Sequence, residues 1–335
     1  QRRIHDGHVR GRANRIRSAA SGAGIGDDRC LLRDRPLCDL DTAECSKRGA
    51  ANIMRKASPV IRTFFPALLR YGLMVAAAFL YISPILFMIV GSLKPDNRVL
   101  VEAGSLKALY PTQASLQNYR DVFDRVDFLR FMMNSLFITG TIVCFGLVVN
   151  SMAAYSFARL QWRGRDLFFT FVLSLMILPF QAIAVPLFYQ ITILGWRDTY
   201  IAQIIPFIAN PFAIYLFYSF FIGMSRELEE AARCDGAGIF RTFTTIIVPN
   251  SKPVYATVTI VTFLFYWGFY LWPLMVTSGK EVRPLPVAIA TFQTLPPLKW
   301  GDIMAFGVMM IAPVLIVFLV FQKWFVRGVA SAYSE

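Results

Sequence analysis

Residues Glu230–Pro253 read EAARCDGAGIFRTFTTIIVPNSKP, a charged, glycine-broken segment set between two long apolar runs. The runs, Tyr200–Phe221 and Val254–Thr277, are each long enough as helix to cross a hydrocarbon layer of ~30 Å. A polar stretch between two such spans stays in water, where a partner can grip it. Arg226–Arg233 has the marks of a short helix. Glu227, Glu229 and Glu230 load its early turns, where the helix dipole favours negative charge. Ala231 and Ala232 are good helix formers and keep it thin. Asp235 and Gly236 then make a break, since glycine can take the left-handed conformation that ends a helix and aspartate can cap the next one. A second helix is predicted from about Gly238 until Pro249 stops it. Ile239, Phe243 and Ile246 stand at i, i+4 and i+7 as one apolar stripe, widened by Phe240 and Ile247. Phe243 is expected to pack inward, leaving Glu230 and the alanines for a partner's groove. On pattern alone, a solvated loop with helical character fits equally well.

Outward from this segment the whole chain reads as a membrane protein. Of its 335 residues, 56% are hydrophobic and 16% charged, whereas soluble domains carry about a quarter charged residues. Six spans are predicted, near Arg70–Leu93, Phe131–Phe157, Phe168–Ile193, Tyr200–Phe221, Val254–Thr277 and Ile303–Phe325. The fold class is therefore all-α, a polytopic bundle of six transmembrane helices. Prolines inside the spans, among them Pro84, Pro179, Pro186, Pro206, Pro211, Pro273 and Pro313, predict kinks that neighbouring helices tolerate. Arg55, Lys56, Arg62 and Arg70 precede the first span, and Arg159, Arg163 and Arg165 follow the second. Arg226, Arg233, Arg241 and Lys252 lie between the fourth and fifth, and Lys323 and Arg327 end the sixth. This alternation places both termini in the cytoplasm by the positive-inside rule, and it accounts for much of the net charge of +13. The opposite loop, Lys94–Arg130, mixes six basic with five acidic residues. Its stretch Leu116–Arg130 alternates at helical spacing and is expected to lie along the outer surface.

Residues 1–53 differ from the rest, being polar and rich in Arg, Gly, Asp and Ser, with the first methionine at Met54. They are expected to be a disordered leader or upstream extension, with a basic membrane-surface tail as the alternative. The membrane-spanning domain is then 54–335, with 224–253 as its cytoplasmic segment. The GAGIG run at Gly22–Gly26 lacks the preceding strand and following helix of a dinucleotide loop. Five cysteines, none in C-x-x-C spacing, and two histidines, His5 and His8, support neither a metal site nor a disulfide framework.

Polar residues such as Asn134, Asn150, Gln181 and Asn210 fall in the spans, but the span interiors hold no Asp, Glu, Lys or His. Ion-coupled carriers usually need an intramembrane ionisable group. No G-x-x-x-x-G-K-[ST] loop occurs, so no ATP site of that kind is expected in this chain. The chain is read as a non-enzyme, without metal or cofactor of its own. Energy for active transport must then arrive through a partner. A passive channel or facilitator of another class would share the spans without needing the polar segment. Gln181, Asn210, Tyr218 and Trp267, near the midplane of spans three to five, are candidates for lining a substrate path, because they offer aromatic faces and amide donors and acceptors. Helix–helix packing or interfacial anchoring is the alternative for each.

The segment resembles the EAA loop of the membrane subunits of bacterial ABC importers, roughly EAA-x-x-DGA followed by a phenylalanine and two spaced prolines. Glu230, Ala231, Ala232, Asp235, Gly236, Ala237, Phe243, Pro249 and Pro253 carry the match. AAYSFARL (Ala153–Leu160), LPFQAIAVPLF (Leu178–Phe188), LGWRDTY (Leu194–Tyr200), RELEEAA (Arg226–Ala232), FYLWPL (Phe269–Leu274) and FQKWFVRG (Phe321–Gly328) resemble the maltose-type carbohydrate-uptake class, specifically its six-span partner. Gly268 departs from an asparagine common there.

The resemblance implies a type I ABC importer fold in the bacterial inner membrane. It implies a second homologous permease, two cytoplasmic ATPases carrying ATP-Mg, and an extracytoplasmic substrate-binding protein, with no nucleic acid. Glu229, Glu230, Ala231, Ala232, Asp235, Gly236 and Ala237 would couple to an ATPase, with Phe243 and Pro249 packing the loop. The cargo implied is a sugar or oligosaccharide, with glycerol-3-phosphate or another small solute as the alternative. Alternating access would be driven by ATP closing the ATPase pair.

Overall fold

In the computed structural model the described residues are 59–111 and 113–332, and every regular element among them is helical. The expectation for residues 1–53 lies outside the described residues. The chain divides into two units, residues 1–75 and 76–335. Of the first, the described part is the opening of α1 (Pro59–Ser92), whose side chains from Leu69 to Val75 are exposed. The second holds everything that follows.

Helices of six residues or more are numbered in chain order after α1: α2 (Gln117–Arg125), α3 (Phe128–Arg159), α4 (Arg165–Ser174), α5 (Phe180–Ile193), α6 (Pro211–Gly223), α7 (Glu227–Cys234), α8 (Lys252–Trp267), α9 (Leu271–Val276), α10 (Leu285–Phe292) and α11 (Trp300–Ala332). Leu69–Ser92, Phe128–Arg159, Tyr200–Gly223 and Trp300–Lys323 are long and apolar enough to cross a membrane. These match four of the six predicted spans.

The other two depart from single helices. In the third, Arg165–Ile177 and Phe180–Ile193 are bent by 102°. Pro179 lacks an N–H and drives Leu178 out of helix, to ψ 120. In the fifth, α8 has 16 residues, about 24 Å of helix and short of a bilayer core. It ends at Gly268, and α9 follows after Phe269 and Tyr270. A helix running straight through would set the Pro273 ring against the carbonyl of Phe269.

α3 is the axis of the second unit. Its buried residues, including Phe131, Ile138, Ile142, Asn150, Ala154 and Ala158, recur every three to four positions along one face. That face meets α6, α8 and α10. Phe217 and Phe221 of α6 are fully enclosed against Ala154 and Tyr155, and Trp272 of α9 against Ile142 and Phe207. Between spans in lipid such contacts rest on close packing and on polar bonds rather than on escape from water. Asn150 supplies one of these bonds, its Nδ2 donating to Ile208 O at 2.9 Å while its Oδ1 accepts from Asn210 N at 2.8 Å.

α2 packs against α11. Asn118 and Val122 are buried against α11. Asn118 Nδ2 donates to Ser92 O and Lys94 O, both at 2.7 Å. Glycine at 301 permits the close approach, since a Cβ there would stand 2.6 Å from the Asn118 amide. Arg125 donates to Asp302 Oδ2 at 2.8 Å and to Leu295 O and Pro297 O, with its guanidinium 4.8 Å from the centre of the Phe292 ring. Lys299 donates to Asp121 at 2.7 Å, which holds that carboxyl below the usual carboxylate range. The charge pattern predicted an amphipathic helix but not these long-range partners.

Candidate functional site: the Glu227–Pro253 segment

The segment forms the predicted helix–turn–helix, and its first half follows the sequence closely. Ser225 Oγ accepts from Glu227 N at 3.2 Å, at the start of α7. α7 carries three glutamates in its first turn. At its other end Gly236 N bonds Arg233 O at 3.0 Å and Ala237 N bonds Ala232 O at 2.9 Å. These are the paired closing bonds of a left-handed helix terminus. Gly236 has φ +78, and open space surrounds the position a Cβ would take. Asp235 does not cap the following helix as predicted. It is the C-cap residue that follows the first, and the next turn starts from the Gly238 backbone without a side-chain cap.

The second half differs in its apolar face. After Ile239–Thr242 the backbone widens into a π-turn over Phe243–Ile247 and returns to a short turn, Val248–Asn250. A π-turn adds a residue per turn and rotates everything beyond it. The buried face is therefore Thr242, Phe243 and Ile247. Ile246 is only half-buried, and Ile239, on the same predicted stripe as Phe243, is 59% exposed. Pro249 does not end the second helix as predicted. It sits at the start of the Val248–Asn250 turn, and the chain breaks at Ser251 before α8. Phe243 does pack inward, its ring 5.1 Å from that of Tyr155 on α3.

The predicted coupling residues separate into two sets. Glu230, Ala231, Asp235 and Gly236 are exposed, with Ala232 and Ala237 half-buried. Leu228, Ile239 and Phe240 present apolar side chains beside them, Phe240 67% exposed. Glu229 instead turns inward. Its side chain is 5% exposed, and its Oε1 lies 3.2 Å from Arg159 Nε at the end of α3. The surface is thus acidic, small and apolar in close succession, a shape and chemistry suited to insertion in a groove.

Arg159 was legible only as a loop charge. A sharper signal was present, because it continues the stripe Ser151, Ala154, Tyr155 and Ala158 on the buried face of α3.

The four path candidates are not brought together. Gln181 is exposed one residue into α5. Tyr218 is half-buried, its ring 3.9 Å from Phe169. Asn210 caps α6: its Oδ1 accepts from Phe212 N and Ala213 N, and its Nδ2 donates to Tyr266 Oη at 3.2 Å. Trp267 is a core residue, stacked on Phe263 and donating to Met310 O at 3.0 Å. Asn210 and Trp267 are therefore helix glue in this conformation. Asn210→Ala should cost about 0.5–2 kcal/mol of stability, as the loss of a cap does, and leave the KM for uptake unchanged. Thermal unfolding and uptake kinetics on the same preparation check both halves.

Comparison with known proteins gives this arrangement a context. The family described as binding-protein-dependent transport system inner membrane component matches residues 135–331. The arabinooligosaccharides transport system permease protein AraQ of Halalkalibacterium halodurans is 32% identical over 275 residues, 82% of this chain and 96% of that protein. The trehalose/maltose transport system permease protein MalG of Thermococcus litoralis is 32% identical over 262 residues, 77% of this chain and 92% of that protein. A solved structure of a bacterial ABC transporter involved in the import of the acidic polysaccharide alginate superposes with a TM-score of 0.70 at 26% identity, covering 80% of this chain and 98% of that one.

Proposed function

The chain belongs to the family of binding-protein-dependent transport system inner membrane components, and from that membership we propose that Glu227–Pro253 is the handle by which ATPases in trans drive it. It is a multi-pass inner-membrane permease subunit of an ABC importer. Its cargo is a sugar or oligosaccharide, a reading supported by the arabinooligosaccharide and trehalose/maltose permeases among its relatives. A substrate-binding protein delivers that cargo from outside. A second permease of the same family completes the passage, and two ATPases bind ATP-Mg on the cytoplasmic side, where both termini also lie. The chain itself carries no ATPase site.

The observation that carries the reading is the exposed face of Glu230, Ala231, Ile239 and Phe240. Two adjacent large apolar side chains left exposed in a water-facing segment suit a partner that covers them. ATP must bind the closed ATPase pair more tightly than the open one, because equal affinity would shift nothing. The docked segment passes that difference to the spans.

The test is co-purification and uptake. The chain is tagged and expressed with its gene neighbours, and uptake of arabinotriose, trehalose, maltose and sn-glycerol 3-phosphate is measured in proteoliposomes. Glu230→Ala should keep the chain in the membrane and weaken ATPase retention, with uptake falling about tenfold, within the usual range of a coupling free energy. Normal uptake and retention in that variant would remove the handle.

A further inference from the structure

The handle must be fixed to something if a pull on it is to move the spans, and one side chain does the fixing. The Arg159 guanidinium is 3% exposed at the C-terminal end of α3. Its Nη2 donates to Met224 O at 2.6 Å and to Phe221 O, the carbonyls that close α6. Its Nε faces Glu229 Oε1 at 3.2 Å, without the alignment of a hydrogen bond. Three elements, α3, α6 and α7, thus meet on one buried cation.

We infer that Arg159 is the positioning residue that locks the coupling helix to the bundle, with Glu229 as its counter-charge, so that force reaches the spans through this joint. The inference rests on the proposed docking of Glu227–Pro253 on an ATPase. The chemistry favours a joint over a simple staple. A buried ion pair is weak evidence for stability, since well-packed apolar replacements are often neutral or better. What it supplies is direction: a planar guanidinium fixes the angle between its partners. Arg233, one turn along α7, lies 3.9 Å from the other Glu229 oxygen but is half exposed, and so contributes little. Arg159 also stands one turn beyond Tyr155, which packs on Phe221 and Phe243. The joint therefore has an apolar bearing beside the ionic one.

The experiment uses the full assembled transporter in proteoliposomes, with the sugar of the panel above that the unsubstituted complex accumulates. Three quantities are read: melting temperature, ATP hydrolysis, and sugar moved per ATP hydrolysed. Glu229→Gln keeps the size and removes the charge. The pair Arg159→Met with Glu229→Leu replaces the joint by apolar packing and decides the matter should the single variant fail to fold. Both are expected to retain ATPases and hydrolyse ATP while sugar moved per ATP falls about tenfold. Sugar per ATP unchanged, with or without a lower melting temperature, reduces the pair to a structural contact and overturns the inference. Failure of the unsubstituted chain to retain ATPases would instead remove the docking reading itself, so the two failures are distinct.

Discussion

Gly236→Pro is expected to leave the chain in the membrane and abolish uptake while ATP hydrolysis persists. Proline fixes φ near −65°, and Gly236 needs +78. It also deletes the N–H that bonds Arg233 O at 3.0 Å. The end of α7 must then unwind or redirect, which swings Ile239 and Phe240 away from Glu230. Gly236→Ala is the graded control. Its Cβ would meet nothing within 4 Å, so only the left-handed backbone is taxed, by about 1–2 kcal/mol. A few-fold loss of uptake is expected for alanine and complete loss for proline. Parallel measurements of uptake and of ATP hydrolysis check this. Equal behaviour of the two variants would show that backbone direction at this turn does not matter.

Arg125→Ala should produce the largest loss of stability. Asp302 is fully buried at the start of α11 and has Arg125 as its ion-pair partner. Removing the arginine leaves a buried carboxylate without a counter-charge and also frees the carbonyls of Leu295 and Pro297. Breaking a buried pair from one side typically costs about 3–5 kcal/mol. The companion variant Arg125→Met with Asp302→Leu should recover most of it, because the desolvation cost disappears with the charges. Thermal unfolding of the detergent-solubilised complex reads both. Near-equal melting of Arg125→Ala and the unsubstituted chain would mean that Lys299, which pairs with Asp121 nearby, compensates fully.

Composition and hydropathy identified the fold class because lipid requires every backbone polar group to be satisfied within the segment, which leaves helices. Hydropathy could not tell a straight span from a broken one. The 102° bend at Leu178–Pro179 and the break at Gly268 were written only as prolines and a glycine, and many helices in membranes tolerate those residues. The Gly236 turn was legible because a single backbone conformation demanded a particular residue. Glu230 was set outward from the pattern, but the inward turn of Glu229 was not legible, because only the packed partner, Arg159, shows it. Arg159, Arg125 and Asp302 were invisible as a class. Their partners lie far away in sequence, and a charge near a span end reads first as an orientation signal. Ile246 was set on the stripe in place of Ile247 because nothing in FRTFTTII announces a π-turn.

The central helix has one last implication. α3 runs 32 residues without a proline, about 48 Å of continuous helix. Near its far end Asn134 Nδ2 grips Glu281 O and Arg283 O at 2.9 Å each, and its near end finishes in the Arg159 clasp. Such a rod gripped near both ends moves as one piece: a tilt of about 5° about one end carries the other, with whatever it grips, through about 4 Å at this length. In the proposed cycle the rod would carry the stroke, and bending would fall to neighbouring spans that are already broken, at Leu178 and Gly268 among them.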